Sequence, residues 1–154
     1  MAVEIERKFK VANAGWRDTV TRSTSLRQGY VSTKPEATVR VRLENGVGTL
    51  TIKSKTRGIS RSEFEYDIPN SEATQLLQLC EGPLIEKIRH LVIIGEHTWE
   101  IDEFIGDNQG LIIAEIELSS EDESFEKPAW LGIEVSHDAR YYNSSLVAHP
   151  YNQW

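Results

Sequence analysis

Charged residues recur along this chain as like-charged pairs with one residue between the members. The acidic pairs are Glu4 and Glu6, Glu63 and Glu65, Glu100 and Asp102, and Glu115 and Glu117. The basic pairs are Arg40 and Arg42, Lys53 and Lys55, and Lys87 and Arg89. In an extended strand, residues two apart share a face, so each pair points one way while Ile5, Val41, Ile52, Phe64, Ile88, Ile101 and Ile116 point the other. A solubilising surface mixes signs, because like charges set side by side repel. Sorting by sign is expected where carboxylates converge on a cation and cations converge on an anion. Carboxylates without cysteine ligands suit a hard, oxygen-seeking ion such as Mg²⁺ or Mn²⁺. Arginine suits phosphate through forked contacts, and lysine through a point charge.

The elements that must carry these pairs are mostly strands. Alternation and turn signals predict strands over residues 3–11, 26–33, 37–44, 48–55, 61–68, 84–94, 97–104 and 111–118. Asn45-Gly46 reads as a two-residue hairpin turn, since both central residues of a type I′ turn need positive φ. Gly95-Glu96 marks a second hairpin. Helical spacing of Ala73, Leu76, Leu77 and Cys80 behind Ser71 predicts a helix over 71–80, stopped by Gly82-Pro83. A short helix or turn is expected within 13–22, a short acidic helix over 121–125, a connector at Lys127–Trp130, and a last helix over 138–147.

About eight mostly antiparallel strands suggest a sandwich or a closed barrel. The charges favour the barrel. A polar face that binds something must be concave, and closing the sheet turns that face into a lumen. The apolar outside then needs cover, which the helices at 71–80 and 138–147 would partly supply. The expectation is an eight-stranded antiparallel closed barrel, all-β dominated, with a charged lumen and a few short helices outside.

Composition narrows the function classes. The chain has 154 residues, with 39% hydrophobic and 27% charged residues and a net charge of −7, which fits one ordinary soluble domain spanning 1–154. No apolar run approaches a membrane span, and the start lacks the apolar core of a signal peptide. Cys80 is the only cysteine, consistent with a reducing cytoplasm. The acidic balance argues against nucleic acid or an anionic membrane held by bulk charge. The four histidines are scattered and not at ligand spacing.

The run Val3-Glu4-Ile5-Glu6-Arg7-Lys8-Phe9 resembles the ExExK signature of the triphosphate tunnel metalloenzymes, the CYTH superfamily. Later landmarks follow in order: Arg40-Val41-Arg42, Thr51-Ile52-Lys53, Glu63-Phe64-Glu65, Glu86 to Arg89, Glu100-Ile101-Asp102, Ala114 to Glu117, and Asp138 to Asn143. With Leu26-Arg27-Gln28-Gly29-Tyr30, the chain looks most similar to the short bacterial inorganic triphosphatases. The resemblance implies an eight-stranded tunnel, a divalent metal (Mg²⁺, with Mn²⁺ as a substitute) and a small polyphosphate substrate. It implies metal ligands at Glu4, Glu6, Glu115 and Glu117, with Glu4, Glu6, Lys8 and Glu117 central to catalysis. Lys8, Arg40, Arg42, Lys53, Lys87 and Arg89 would grip the substrate. Glu63, Glu65, Glu100 and Asp102 would either orient lysines or hold a second metal. Ala139 and Tyr142 stand where close relatives often carry lysine, which leaves Arg140 as the substrate contact from the last helix.

The resulting expectation is a cytoplasmic hydrolase, monomer or homodimer, that splits inorganic triphosphate into pyrophosphate and phosphate in a tunnel open at both ends. Alternatives are an adenylate cyclase or a thiamine or nucleoside triphosphatase on the same fold, and a non-catalytic polyphosphate-binding module. A nucleotide enzyme needs a base pocket, and no residue in the sequence marks one.

Overall fold

A computed structural model describes residues 3–154. Nine strands follow the chain: β1 (Val3–Val11), β2 (Val20–Ser32), β3 (Ala37–Glu44), β4 (Val47–Ser54), β5 (Ser60–Ile68), β6 (Glu81–Ile94), β7 (His97–Phe104), β8 (Ile112–Glu117) and β9 (Leu131–Glu134). Two α-helices accompany them, α1 (Asn70–Leu77) and α2 (Asn143–Ala148). The sheet runs β5-β4-β3-β2-β6-β7-β8-β1, and β1 pairs back onto β5, which closes an antiparallel barrel of eight strands. The closing seam has three residue pairs: Val3 with Ser62, Glu4 with Arg61, and Ile5 with Ser60. Further along, β1 leaves β5 and takes β9 as its outer neighbour from Phe9 onward.

Local chemistry accounts for the turns. Asn45 and Gly46 both have positive φ, 50° and 76°, as the hairpin signal required. Gly95 turns the second hairpin at φ 62°. Three elements differ from the sequence expectation. β2 starts at Val20, because pairing with β6 (Val20 with Val92, Ser23 with His90) holds a polar stretch in strand form that its own pattern does not demand. β6 runs through Gly82-Pro83, where a register irregularity opposite Gln28–Tyr30 tolerates the missing amide. The acidic stretch 121–125 forms no helix: Glu123 is tied to His97 and to the Ser119 amide instead.

Much of the outside of the barrel is apolar and covered, although Phe64 and Tyr66 on β5 stay exposed. α1 lies on β3 and β4 with Ala73 and Leu77 against Val41, pressed so close that a Cβ on Gly48 would stand 2.7 Å from the Ala73 Cβ. On the other side Phe9, Trp99, Ile101 and Ile116 are buried under Trp16 and Trp130, with Phe125 edge-on to Phe9 and Trp99. These covers come from the 3-10 turn Gly15–Thr19 and from the long connector after β8, not from helices.

The last segment corrects two expectations. It is broken into a 3-10 turn (Ala139–Tyr141) and α2, with Tyr142 extended between them. It also packs into one end of the barrel. Register sets Phe104 beside Lys87 and Ile113 beside Asp102, on the lumen side. There Phe104, Ile113 and Ile85 meet Tyr141, Leu146 and Val147. One end of the tunnel therefore has an apolar floor.

Candidate active site

Above that floor the lumen is charged. β1 supplies Glu4, Glu6 and Lys8; by register Glu6 faces Glu117, and Lys8 faces Glu115 on β8. Cations arrive from the far wall: Arg40 and Arg42 on β3, Lys53 on β4, and Lys87 and Arg89 on β6. Most are buried, including Glu4, Lys8, Arg40, Lys87, Arg89, Asp102 and Glu115. Burying so many charges is tolerable only because most are paired.

The pairing is uneven. Asp102, fully buried, accepts from Arg89 Nε at 2.8 Å and Nη2 at 2.9 Å and lies 2.7 Å from Lys87 Nζ. Burial would raise its pKa, but Arg89 and Lys87 outweigh burial and hold the carboxyl well below the usual range. Arg89 Nη1 also donates to Glu100 at 3.0 Å. Burial lowers Lys87 to about 8, against the pull of Asp102. Arg42 falls to about 10 through burial and its neighbours Arg40 and Arg89.

Across the lumen, Lys53 Nζ lies 2.7 Å from Glu4 Oε2 and 3.3 Å from Glu63, and Arg61 stands 4.0 Å from Glu4. Burial pushes Glu4 up, yet Lys53, a hydrogen bond with Glu63 and Arg61 together bring it down to about 2. Glu63 moves up to about 7 through burial and its hydrogen bond to Glu4. Glu115 sits at about 2 because Lys8, Arg89 and Lys87 outweigh its burial. Glu6 forms no ion pair among the described residues, and burial, Glu115 and Glu4 raise it well above the normal carboxylate value. On the cationic side, the buried Arg40 Nε has no hydrogen-bond partner, while Nη2 donates to Thr51 Oγ1.

The sequence-derived residues divide by position. Glu4, Glu6, Lys8, Arg40, Lys53, Lys87, Arg89 and Glu115 meet in the lumen. Arg42 is half-buried and held by Gln28 Oε1. Glu65, Glu100 and Glu117 stand toward the open mouth, Glu65 and Glu117 exposed. Arg140 is corrected: it points away from the lumen, bonded to Asp138 and stacked over Tyr141 and Trp154. Its extended successor turns Tyr142 and Asn143 inward instead. Lys55 is also outside, one residue past the end of β4. Several lumen residues went unassigned by the sequence reading. Arg61 shares parity with Glu63 and was legible in principle; Tyr30, Thr38 and Asn143 carry no charge signal. Asn143 Oδ1 accepts from both Gln28 Nε2 and Lys87 Nζ.

A closed antiparallel barrel around opposed walls of acids and cations defines a tunnel-type binding protein, and comparison with known proteins agrees. The sequence profile of the CYTH domain matches residues 2–151. An inorganic triphosphatase of Acetivibrio thermocellus is 47% identical over 155 residues, covering 100% of this chain and 99% of that protein. Another, from Nitrosomonas europaea, is 36% identical over 148 residues, covering 94% and 96%. The crystal structure of an inorganic triphosphatase superposes with a TM-score of 0.69 at 34% identity, over 96% of this chain and 95% of that one. The chain belongs to the CYTH-domain family.

Membership implies a divalent metal, and the donor set fits one. Among the described residues no three His, Cys, Asp or Glu side chains already stand at ligand spacing, and Lys53, Arg61 and Lys8 pair with Glu4 and Glu115. Glu6, which forms no ion pair among the described residues, lines the same lumen as Glu115 and shares its strand face with Glu4, and such carboxylate oxygens suit a hard cation.

Proposed function

We propose that this chain is a divalent-metal-dependent inorganic triphosphatase that cleaves triphosphate to pyrophosphate and phosphate in the lumen, with the whole chain serving as one tunnel domain. The observation that carries the reading is the meeting of Glu4, Glu6 and Glu115 with Lys8, Arg40, Lys53, Lys87 and Arg89 in one lumen, where, among the described residues, Glu6 forms no ion pair and the buried Arg40 Nε has no hydrogen-bond partner. Glu6 can take a cation, and Arg40 Nε can donate to an anionic oxygen.

Glu4, Glu6, Glu115 and Glu117 would hold Mg²⁺, or Mn²⁺ in its place. A divalent ion held by them would supply positive charge to offset phosphoryl oxygens and to acidify a water. Lys8, Arg40, Arg42, Lys53, Lys87 and Arg89 bind and straighten the phosphate chain, since phosphoryl transfer depends mainly on positioning and charge stabilisation. Lys87 at about 8 and Arg42 at about 10 both remain largely charged at neutral pH. Asp102 and Glu100 act on the cations: they fix the Arg89 fork and the Lys87 ammonium before substrate arrives, which lowers the reorganisation needed during reaction. Glu63 and Glu65 hold Lys53 and Arg40 in the same way. Gln28 aims Arg42.

The test is phosphate release from inorganic triphosphate, pyrophosphate, ATP and thiamine triphosphate with Mg²⁺ and Mn²⁺. Inorganic triphosphate is expected to exceed ATP in kcat/KM by at least about tenfold, a difference of ~1.4 kcal/mol at the transition state. Parity, or a cyclic AMP product, would overturn the assignment in favour of a nucleotide enzyme.

A further inference from the structure

The two ends of the barrel carry opposite charge. At the open mouth a groove is lined by Glu96, Glu100, Glu117 and Glu123. At the other end a groove of 450 Å³ runs between α2 and the loops that precede β3 and follow β4. Among the described residues no carboxylate lines this second groove, although the chain contains 24 acidic residues and a net charge of −7. Its polar groups include Lys55, Arg61 and His149 and the hydroxyls of Ser54, Thr56 and Ser145, set among the apolar atoms of Pro35, Ala139 and Ala148. Two of the groove's donors are shared with carboxylates outside it, Arg61 with Glu4 and the Thr33 hydroxyl with Glu81, whereas Lys55 forms no ion pair among the described residues. An ammonium beside a guanidinium and hydroxyls is the chemistry of a phosphate site.

The groove also borders the lumen. Thr38, Arg61, Tyr142 and Ser144 line both spaces, so these side chains are the partition between them. Arg61 stands 4.0 Å from Glu4 on the lumen side. The Tyr142 ring centroid lies 5.6 Å from Lys8 Nζ. A polyanion approaching a protein of net negative charge is repelled by the acidic mouth and attracted here.

We infer that the groove beside α2 is an anion portal, a surface site where an inorganic phosphate or phosphate chain first docks before passing Tyr142 and Arg61 into the lumen. This rests on the lumen being the phosphate site proposed above. A portal changes the rates of entry and exit together and leaves the final affinity alone, whereas damage to the lumen changes affinity.

Two measurements on metal-free protein test it. In the first, orthophosphate is titrated while backbone amide shifts are followed. Shifts at Ser54, Thr56 and Ser145 are expected, and Lys55→Glu abolishes them; no shifts in this groove would overturn the portal. In the second, tripolyphosphate binding is followed by stopped flow. Ala148→Trp, an exposed position on the groove wall, is expected to slow association and dissociation alike with Kd within about twofold. Lys55→Glu should slow association at least about threefold and flatten its salt dependence. Glu123→Gln at the opposite mouth should change neither rate. Unchanged rates in both groove variants, or faster association in Glu123→Gln alone, would place entry at the acidic mouth. If tripolyphosphate does not bind at all, the lumen reading falls, and the orthophosphate titration still decides whether the groove holds phosphate.

Discussion

Around Asp102 each buried charge touches an opposite one, whereas around Glu6 the acids outrun the cations. Lys87, Arg89, Asp102, Glu100 and Asn143 form a closed set of contacts. On the facing wall Glu4 and Glu63 share Lys53, Arg61 stays at 4.0 Å, and Glu6 forms no ion pair among the described residues. The first region is finished without a ligand. The second is strained by repulsion and desolvation until positive charge is added. A site that must bind a metal and release products needs both: one wall that does not move, and one whose energy falls on binding.

The sharpest way to break this contrast is Glu6→Gln against Asp102→Asn. Glu6→Gln removes a repelled carboxylate, so it is expected to keep the fold, with a melting temperature equal to or above that of the parent. Hydrolysis of inorganic triphosphate should fall at least about a hundredfold, the scale of losing one electrostatic element of an active site. Steady-state kinetics beside thermal denaturation measures both; retained activity would remove Glu6 from the site.

Asp102→Asn should behave in the opposite sense. It leaves Lys87 buried without its counter-ion and Arg89 with Glu100 alone, a change on the scale of about 3–5 kcal/mol. Denaturant titration should show that loss. A variant as stable as the parent would mean the wall is not the scaffold described.

A smaller effect separates the walls by ligand response. Mg²⁺ with a non-hydrolysed triphosphate analogue should raise the melting temperature of the parent, because a ligand at a hundredfold its Kd stabilises by about 2.7 kcal/mol. Glu6→Gln should lose most of the shift that depends on metal, and EDTA should abolish activity reversibly. Equal shifts in parent and variant would place the ligand elsewhere.

The smallest expected effect calibrates the others. Glu103 lies on the outer face, where a hydrogen bond from Arg17 lowers its pKa against a modest burial penalty. A carboxylate with a depressed folded pKa adds stability that is present above its unfolded value and lost as pH falls through the folded one. Because the pair is partly exposed, Glu103→Gln should cost no more than about 1 kcal/mol at pH 7. That difference should vanish as the medium is acidified past the ordinary carboxylate range. For Asp102, held much lower by Arg89 and Lys87, the gap between parent and variant should survive to more acidic pH.

Much of the lumen was legible because strand parity is rigid: once Glu4 faces in, Glu6 and Lys8 must as well. The same rule misplaced Lys55, since parity ends with the strand at Ser54. It passed over Arg61 because that residue has no like-charged partner two positions away. β9 was too short to read, and its Gly132 lies where a Cβ would stand 2.8 Å from the Lys10 carbonyl oxygen, a demand set by tertiary packing. The inward turn of Tyr142 and Asn143, and the outward turn of Arg140, depend on a helix broken at its middle and buried at the barrel end. No local pattern in 138–147 encodes that burial.

The seam between β1 and β5 has a consequence for assembly. β1 is the first of the nine strands, yet its neighbours β8 and β9 are the last two, and among the described residues three pairs tie it to β5. Ring closure must therefore wait for nearly the entire polypeptide, with the entropy of a long loop lost before the reward of those contacts arrives. Until then the acid-bearing edge of β1 has no cavity to face, so Glu4, Glu6 and Lys8 stay hydrated, and their desolvation falls in the final steps of folding. The rate of that late docking, rather than the formation of the β3–β4 or β6–β7 hairpins, should set how quickly the protein becomes competent to bind.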